Sequence, residues 1–210
     1  MISDNLSRLD EMQLSVLTEL GNIGSGNAAT ALSNFLNTVV DIDVPHICIM
    51  DIDAVVQYFG GPDKMVLGLT LDLEGDLQGT MMHIIGMDFA NKMINTFYPK
   101  NVSDLSNIDD MDLSVVREMG NITTAAYVNA MAKMTNKFIN ITPPLDFIDN
   151  VRSMLERPFT MYNDLHYQVL FIDEKLRLCD TDFRSAMVLM LDIESMSNLF
   201  LSFGMNPVQE

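Results

Sequence analysis

Residues Met12 to Pro45 lie over residues Met111 to Pro144 at one constant offset of 99 residues, with no gap. Within that span LSVLTELGNI (Leu14 to Ile23) sits on LSVVREMGNI (Leu113 to Ile122), and farther on Ala31 meets Ala130, Asn37 meets Asn136, Ile42 meets Ile141 and Pro45 meets Pro144. A chain that repeats with this period must give both copies an equivalent way to bury their apolar faces. After each copy comes an apolar, β-rich stretch, KMVLGLTLDLEGDLQGTMMHIIG in the first half and YQVLFIDEKLRLCDTDFRSAMVLML in the second. A further helical pattern follows each, FANKMINTFY and then SMSNLFLSF. Each half is therefore expected to run helix, long helix, strands, helix.

Such a unit covers a two-sided sheet most readily by pairing with its copy. The expected fold class is α/β in the broad sense (α+β): one pseudo-two-fold domain over residues 1–210, with repeats at about 8–100 and 107–205. Its central sheet is expected to be mixed or mostly antiparallel, shared by both halves and flanked by helices, and its symmetry internal to a monomer. The polar stretch Tyr98 to Asp110 is a connection too short to act as a tether. With 210 residues, 48% of them hydrophobic, the chain can bury a sizeable core.

The first helix of each copy carries the chemistry. Asp10 and Asp109 stand at equivalent N-cap positions, with Gln13 and Asp112 three residues later, an approximate capping box. On a wheel of about 100° per residue, with Ser15 at zero, Glu19 falls near 40° and Asn22 near −20°. Leu17, Leu20, Ile23 and Ala31 fall behind them. Ser114, Glu118 and Asn121 form the same polar stripe in the second copy, backed by Val116, Met119 and Ile122. Gly21 and Gly120 border the apolar side, where a missing side chain lets another element approach closely. Gly26 returns to the stripe, with Ala125 as its counterpart, so both fronts are expected to stay open to a partner. Tyr127 and Val128 stand where the first copy has Ala28 and Ala29, which implies a bulkier second front.

A single Glu and Asn at this spacing is ordinarily a solvated helix face. Here the pattern Ser-x3-Glu-x2-Asn-x22-Pro holds twice, as Ser15, Glu19, Asn22 and Pro45 and as Ser114, Glu118, Asn121 and Pro144. A carboxamide donates and accepts hydrogen bonds but does not titrate near neutral pH, so Asn is a poor base and a good positioner of water. That suits a phosphoryl bond already labile and needing only an aligned water.

With this signature the sequence resembles the CheC phosphatases of bacterial chemotaxis, the CheC, CheX and FliY group, over nearly the whole chain. Two tandem units with both signatures intact place the resemblance nearest the CheC type. The resemblance implies a hydrolase that removes the aspartyl phosphate of the response regulator CheY in two-component signalling, with the regulator supplying Mg2+ and this chain binding no cofactor. It implies that Asn22 and Asn121 align the attacking water and that Glu19 and Glu118 pair with the regulator's active-site lysine. Ser15, Ser114, Pro45 and Pro144 match the motif as structural residues, the proline being expected to end a helical hairpin and start the first strand. A second implied partner is the deamidase CheD, for which the second helix of a repeat and the segment Met131 to Met134 are candidates, with core packing the simpler role for those methionines. The alternative from another class is a noncatalytic adaptor, either of the flagellar switch, as FliM uses this fold for assembly, or a CheD-binding regulator.

Other chemistries find no support. The 12 Lys and Arg against 29 Asp and Glu leave a net charge of −17, which repels nucleic acid and anionic membrane surfaces at long range. His46, His83 and His166 show no metal-ligand spacing. GNIGSGN (Gly21 to Asn27) lacks the lysine of a phosphate loop, and no GxSxG elbow or Cys–His pair is present. Cys48 and Cys179 lie far apart in apolar runs, as expected of two buried thiols in a reducing compartment. With no basic, apolar leader and no long apolar run, a cytoplasmic location is expected.

Overall fold

The computed structural model describes residues 10–102, 104–157, 168–191 and 193–205, so His166 and the first nine residues lie outside the described residues. The chain runs through α1 (Glu11–Leu36), β1 (Val40–Ile42), β2 (His46–Asp51), α2 (Ile52–Tyr58), β3 (Met65–Gly75), β4 (Gly79–Ile85) and α3 (Met87–Phe97). After a 3-10 turn (Leu105–Asn107) the succession recurs: α4 (Asp110–Thr135), β5 (Ile139–Ile141), β6 (Leu145–Asn150), α5 (Val151–Glu156), β7 (Gln168–Leu178), β8 (Thr181–Leu191) and α6 (Ile193–Ser202).

Both long helices start where the capping residues require. The Asp10 carboxylate accepts from the Gln13 amide at 2.7 Å while the Gln13 side chain accepts from the Asp10 amide at 3.0 Å. Asp109 and Asp112 form the same reciprocal pair at 3.0 and 2.9 Å. Both helices end on an asparagine in the left-handed region, Asn37 at φ 50° and Asn136 at φ 54°, where Asn is the residue after glycine best able to sit. In place of the expected helix followed by a long helix, each half has one unbroken helix of 26 residues. Consequently there is no helical hairpin for the prolines to end. Pro45 stands between β1 and β2 and Pro144 between β5 and β6, breaking what would otherwise be one strand where a proline cannot donate to the ladder.

The strands build one eight-stranded sheet in the order β1-β7-β8-β4-β3-β5, with β2 also on β7 and β6 also on β3, every pairing among the described residues antiparallel. The short strands of each half are exchanged. Ile42 of the first half pairs with Leu176 of the second, and Ile141 of the second with Leu73 of the first. Helices cover both faces, so the central strand β4 is buried along its whole length. On one face α1 and α4 lie across the sheet. Leu17 and Leu20 share an apolar cluster with Ala130 and Met131, whereas Leu32 and Leu36 share theirs with Val116 and Met119, so the two helices run antiparallel. On the other face Val55 and Val56 of α2 and Met154 and Leu155 of α5 pack over Met82, Phe171 and Val188.

Gly21 and Gly120 serve close approach by the sheet: a Cβ on Gly21 would collide with Ile47 and Pro45, and one on Gly120 with Leu69. Tyr127 and Val128 are not on the second front, contrary to the expectation. Both are buried, and the Tyr127 ring lies against Gly24 of α1, where any Cβ would strike it. The thiols also differ from expectation. Cys48 is buried, but Cys179 is exposed, because Cys179 and Asp180 (φ 49° and 61°) form the two-residue turn of the β7–β8 hairpin, a tip that faces solvent. Among the described residues no helix is long and apolar enough to cross a membrane.

Beneath the helices lies a buried polar group. The Tyr127 hydroxyl donates to Glu174 Oε1, and Ser185 Oγ donates to Glu174 Oε2 at 3.2 Å. Burial pushes the Glu174 carboxyl up to about 7, against the hydroxyl donors that favour its charge. Between its ordinary value of 4.5 and about 7, the unfolded chain sheds a proton that the folded chain keeps. This group therefore costs stability increasingly as pH rises through that window. The Glu174→Gln variant is accordingly expected to gain stability relative to the wild type as pH goes from 4.5 to 7 and to level off above, by on the order of 1 kcal/mol for each pH step of one across the window. Denaturant titrations of both proteins across that range check this, and a pH-independent difference refutes it.

Candidate functional site

The outward side of α1 presents Ser15 and Glu19 exposed, Asn22 half-buried and Gly26 exposed. Leu17, Leu20, Leu32 and Leu36 are buried behind them, with Ile23 and Ala31 half-buried. The stripe expected from helical periodicity is thus the solvent face of a helix anchored on the sheet. On α4 the same register gives Ser114 and Glu118 exposed, and Asn121 and Ala125 half-buried. Because α1 and α4 run antiparallel, the two Glu–Asn pairs follow opposite directions along one helical layer.

Asn22 has an environment of its own. Its Oδ1 is enclosed and accepts no hydrogen bond from the chain, an arrangement that costs about 1–3 kcal/mol unless another group satisfies it. Its backbone carbonyl is held by Ser25 Oγ at 3.1 Å, which fixes the turn that carries it. One turn on, nothing stands within 4 Å of where a Gly26 side chain would begin. The approach to Asn22 is therefore unobstructed from that side. Ser114 Oγ turns back to the Met111 carbonyl at 2.6 Å, as befits a residue that shapes the helix. Pro45 is buried against Gly21 and holds the β1–β2 corner beneath α1, whereas Pro144 is half-buried.

The surroundings of the two pairs are not alike, as expected, but the difference lies in charged side chains that sequence reasoning missed rather than in Tyr127 and Val128. Arg117, adjacent to Glu118, pairs with Asp146 of β6 at 2.5 Å. The equivalent positions on the first side are Thr18 and Ile47, so the difference was open to view in the superposed repeats. At the start of α4, Lys100 bridges Asp109 at 2.7 Å and Asp112 at 2.5 Å, and it holds the Asp109 carboxyl below the usual carboxylate range. Gln13 replaces Asp112 in the first copy, which leaves that helix start without the corresponding carboxylate.

The remaining candidates do not converge on these sites. His46 is exposed, while His83 is wholly buried in β4 with neither ring nitrogen hydrogen-bonded, and burial lowers it to about 4, so it is neutral in the core. Met131 is buried and Met134 packs against the same core, which makes the methionine-rich segment part of the interior. Among the described residues no group of three or more His, Cys, Asp or Glu side chains is arranged to hold a metal ion. What the fronts can do chemically is position rather than coordinate: each offers a charged acceptor beside an amide that can both donate and accept.

Comparison with known proteins follows the same division of the chain. The model of the CheC-like family matches residues 12–49 and again 111–145, the two segments that carry the long helices and the strands after them. The chain is 27% identical over 200 residues to the CheY-P phosphatase CheC of Bacillus subtilis (strain 168), covering 93% of this chain and 96% of that protein. It is 25% identical over 137 residues to the flagellar motor switch phosphatase FliY of the same organism, covering 65% of this chain and 35% of that one. In structure it superposes on Thermotoga maritima FliY with a TM-score of 0.76 at 20% identity, covering 93% and 98% of the two chains. The FliM middle domain of H. pylori follows at 0.66 and 11% identity, covering 91% and 98%, a likeness of fold alone. Matched twice by the family model and along almost its full length by a CheC protein, the chain is similar to the CheC-like proteins.

Proposed function

We propose that this protein is a phosphatase of phosphorylated CheY, working through two helix-borne sites, Glu19 with Asn22 and Glu118 with Asn121. The observation that carries this reading is the same Glu–Asn register on the outward faces of two 26-residue helices, with the position one turn beyond Asn22 kept clear by Gly26. A carboxamide on such a face both donates and accepts, which suits it to orient a water that attacks a bound phosphoryl group.

The reaction asks little more of this chain. An aspartyl phosphate is a mixed anhydride whose leaving group is a carboxylate, so its departure needs no proton. The water oxygen forms the new bond to phosphorus as the bond to the aspartyl oxygen breaks, and the water proton leaves with inorganic phosphate. Asn22 or Asn121 orients that water along the line of displacement, the kind of positioning that converts an unlikely encounter into a near-attack geometry. Glu19 or Glu118 takes hold of a cation on the regulator, its lysine, and so fixes the helix in register over the phosphoryl group. The divalent cation comes with the regulator as part of the substrate complex. CheD remains a proposed second partner.

A noncatalytic adaptor is the reading that the FliM-like fold would favour. Two intact Glu–Asn pairs on cleared helix faces support catalysis instead.

Two outcomes test the proposal. The double variant Asn22→Ala/Asn121→Ala is expected to fold normally and to lose about 10²-fold or more of the acceleration of phosphorylated CheY decay in Mg2+. Each single variant is expected to keep the activity of the other site, and a folded double variant with wild-type activity refutes the mechanism. Replacing Glu19 and Glu118 together with Lys should weaken association with the regulator, seen as a raised KM whose excess over wild type shrinks as salt is added. A KM unchanged at low salt would exclude the glutamates from the contact.

A further inference from the structure

Two pairs of exposed large apolar residues recur at the 99-residue offset, Met12 with Met111 and Val39 with Phe138. The methionine pair alone keeps the same residue in both copies. Met12 is 66% exposed and Met111 63%, although both belong to helices anchored on the sheet by a buried face. Both stand in the first turn after the capping aspartate. Counting along α1, Met12, Ser15, Glu19, Asn22 and Gly26 follow the 3-4-3-4 spacing of a single helix face, and Met111, Ser114, Glu118, Asn121 and Ala125 repeat it. Each polar front thus has an apolar end.

We infer that Met12 and Met111 are the apolar anchors of the surface on which the phosphorylated response regulator docks at each site. This inference rests on the function proposed above. One exposed apolar side chain is ordinary on a protein surface. The same unbranched side chain left in solvent at the same register of two helices, in line with the two groups that face the substrate, marks a shared contact. Methionine suits it, because a flexible thioether adapts to a partner's surface without demanding one geometry. At about 1.5 Å per residue the anchor lies roughly 10 Å from the glutamate and 15 Å from the asparagine. The partner that fits therefore presents, on one face, a phosphorylated carboxylate, a cation beside it, and an apolar patch about 15 Å from the phosphoryl group. Charge complementarity alone would orient such a partner but not seat it, and the anchor supplies the desolvated contact at the far end.

The test is the Met12→Ser/Met111→Ser double variant, with Met12→Leu/Met111→Leu as the conservative comparison and circular dichroism to verify that both fold. Steady-state decay of the phosphorylated regulator is expected to show KM raised roughly tenfold for the serine variant, with kcat at saturation as in the wild type, and near-wild-type KM for the leucine variant. Direct titration with the regulator carrying a stable phosphoryl mimic should show the same loss of affinity. A serine variant that folds and keeps KM and affinity within twofold of wild type overturns the anchor while leaving the phosphatase reading intact. If the wild type binds the regulator without accelerating decay and the serine variant binds it roughly tenfold more weakly, the anchor stands and the phosphatase reading falls. A wild type that does not bind the regulator overturns both.

Discussion

Backbone hydrogen bonds exchanged between the two halves hold this molecule together. Strands β1 and β2 of the first half are laid on β7 of the second, and β5 and β6 of the second on β3 of the first, so neither hairpin has its outer partner within its own half. Everything above the sheet depends on that exchange. The long helices are each joined to the swapped strands by three residues, and they are set side by side because the strands beneath them cross over. Removing either half would strip a ladder from the other, and loss of the second would uncover Leu69, Leu71 and Leu73 of β3. Such a loss is beyond what a domain of marginal stability can absorb.

The sites inherit rigidity from this arrangement rather than from loops. Glu19 and Asn22 lie near the middle of a helix whose buried side is pinned by Leu17, Leu20 and Ala28, and whose first turn is closed by a reciprocal cap. The water-orienting role proposed for Asn22 gains from such backing, because small displacements undo alignment. The cost is visible at Asn22, whose carboxamide oxygen is enclosed and unpartnered in a protein where most buried polar atoms are satisfied.

What the sequence disclosed was local. The caps, the helix fronts and the open position at Gly26 follow from spacing along one chain segment, and the structure has them where the wheel puts them. The strand order was hidden because its defining pairs, such as Ile42 with Leu176, lie far apart along the chain and leave no local signature. Pro45 misled for a related reason: a proline signals an interruption but does not say whether a helix or a strand is interrupted. Tyr127 was misplaced by comparing neighbours in the aligned repeats, although the same wheel puts it about 140° from Ser114, on the buried side. Nothing in its own segment indicated Gly24 or Glu174 as the residues that would receive it.

The Tyr127 contact also tells what a tandem chain can do that a pair of identical chains cannot. The 99-residue offset brings Tyr127 onto Ala28 and Thr123 onto Gly24, so the large side chain of one half is seated by the missing side chain of the other. Two identical units related by a true two-fold axis must carry the same residue at both positions. Two tyrosines in one crossing would need two glycines to seat them, and two alanines would leave the crossing unfilled. Covalent linkage lifts that restriction and lets knob and socket be divided between the halves. The interior could thereby become lopsided and well filled while both helix faces above it kept the same Ser, Glu and Asn register.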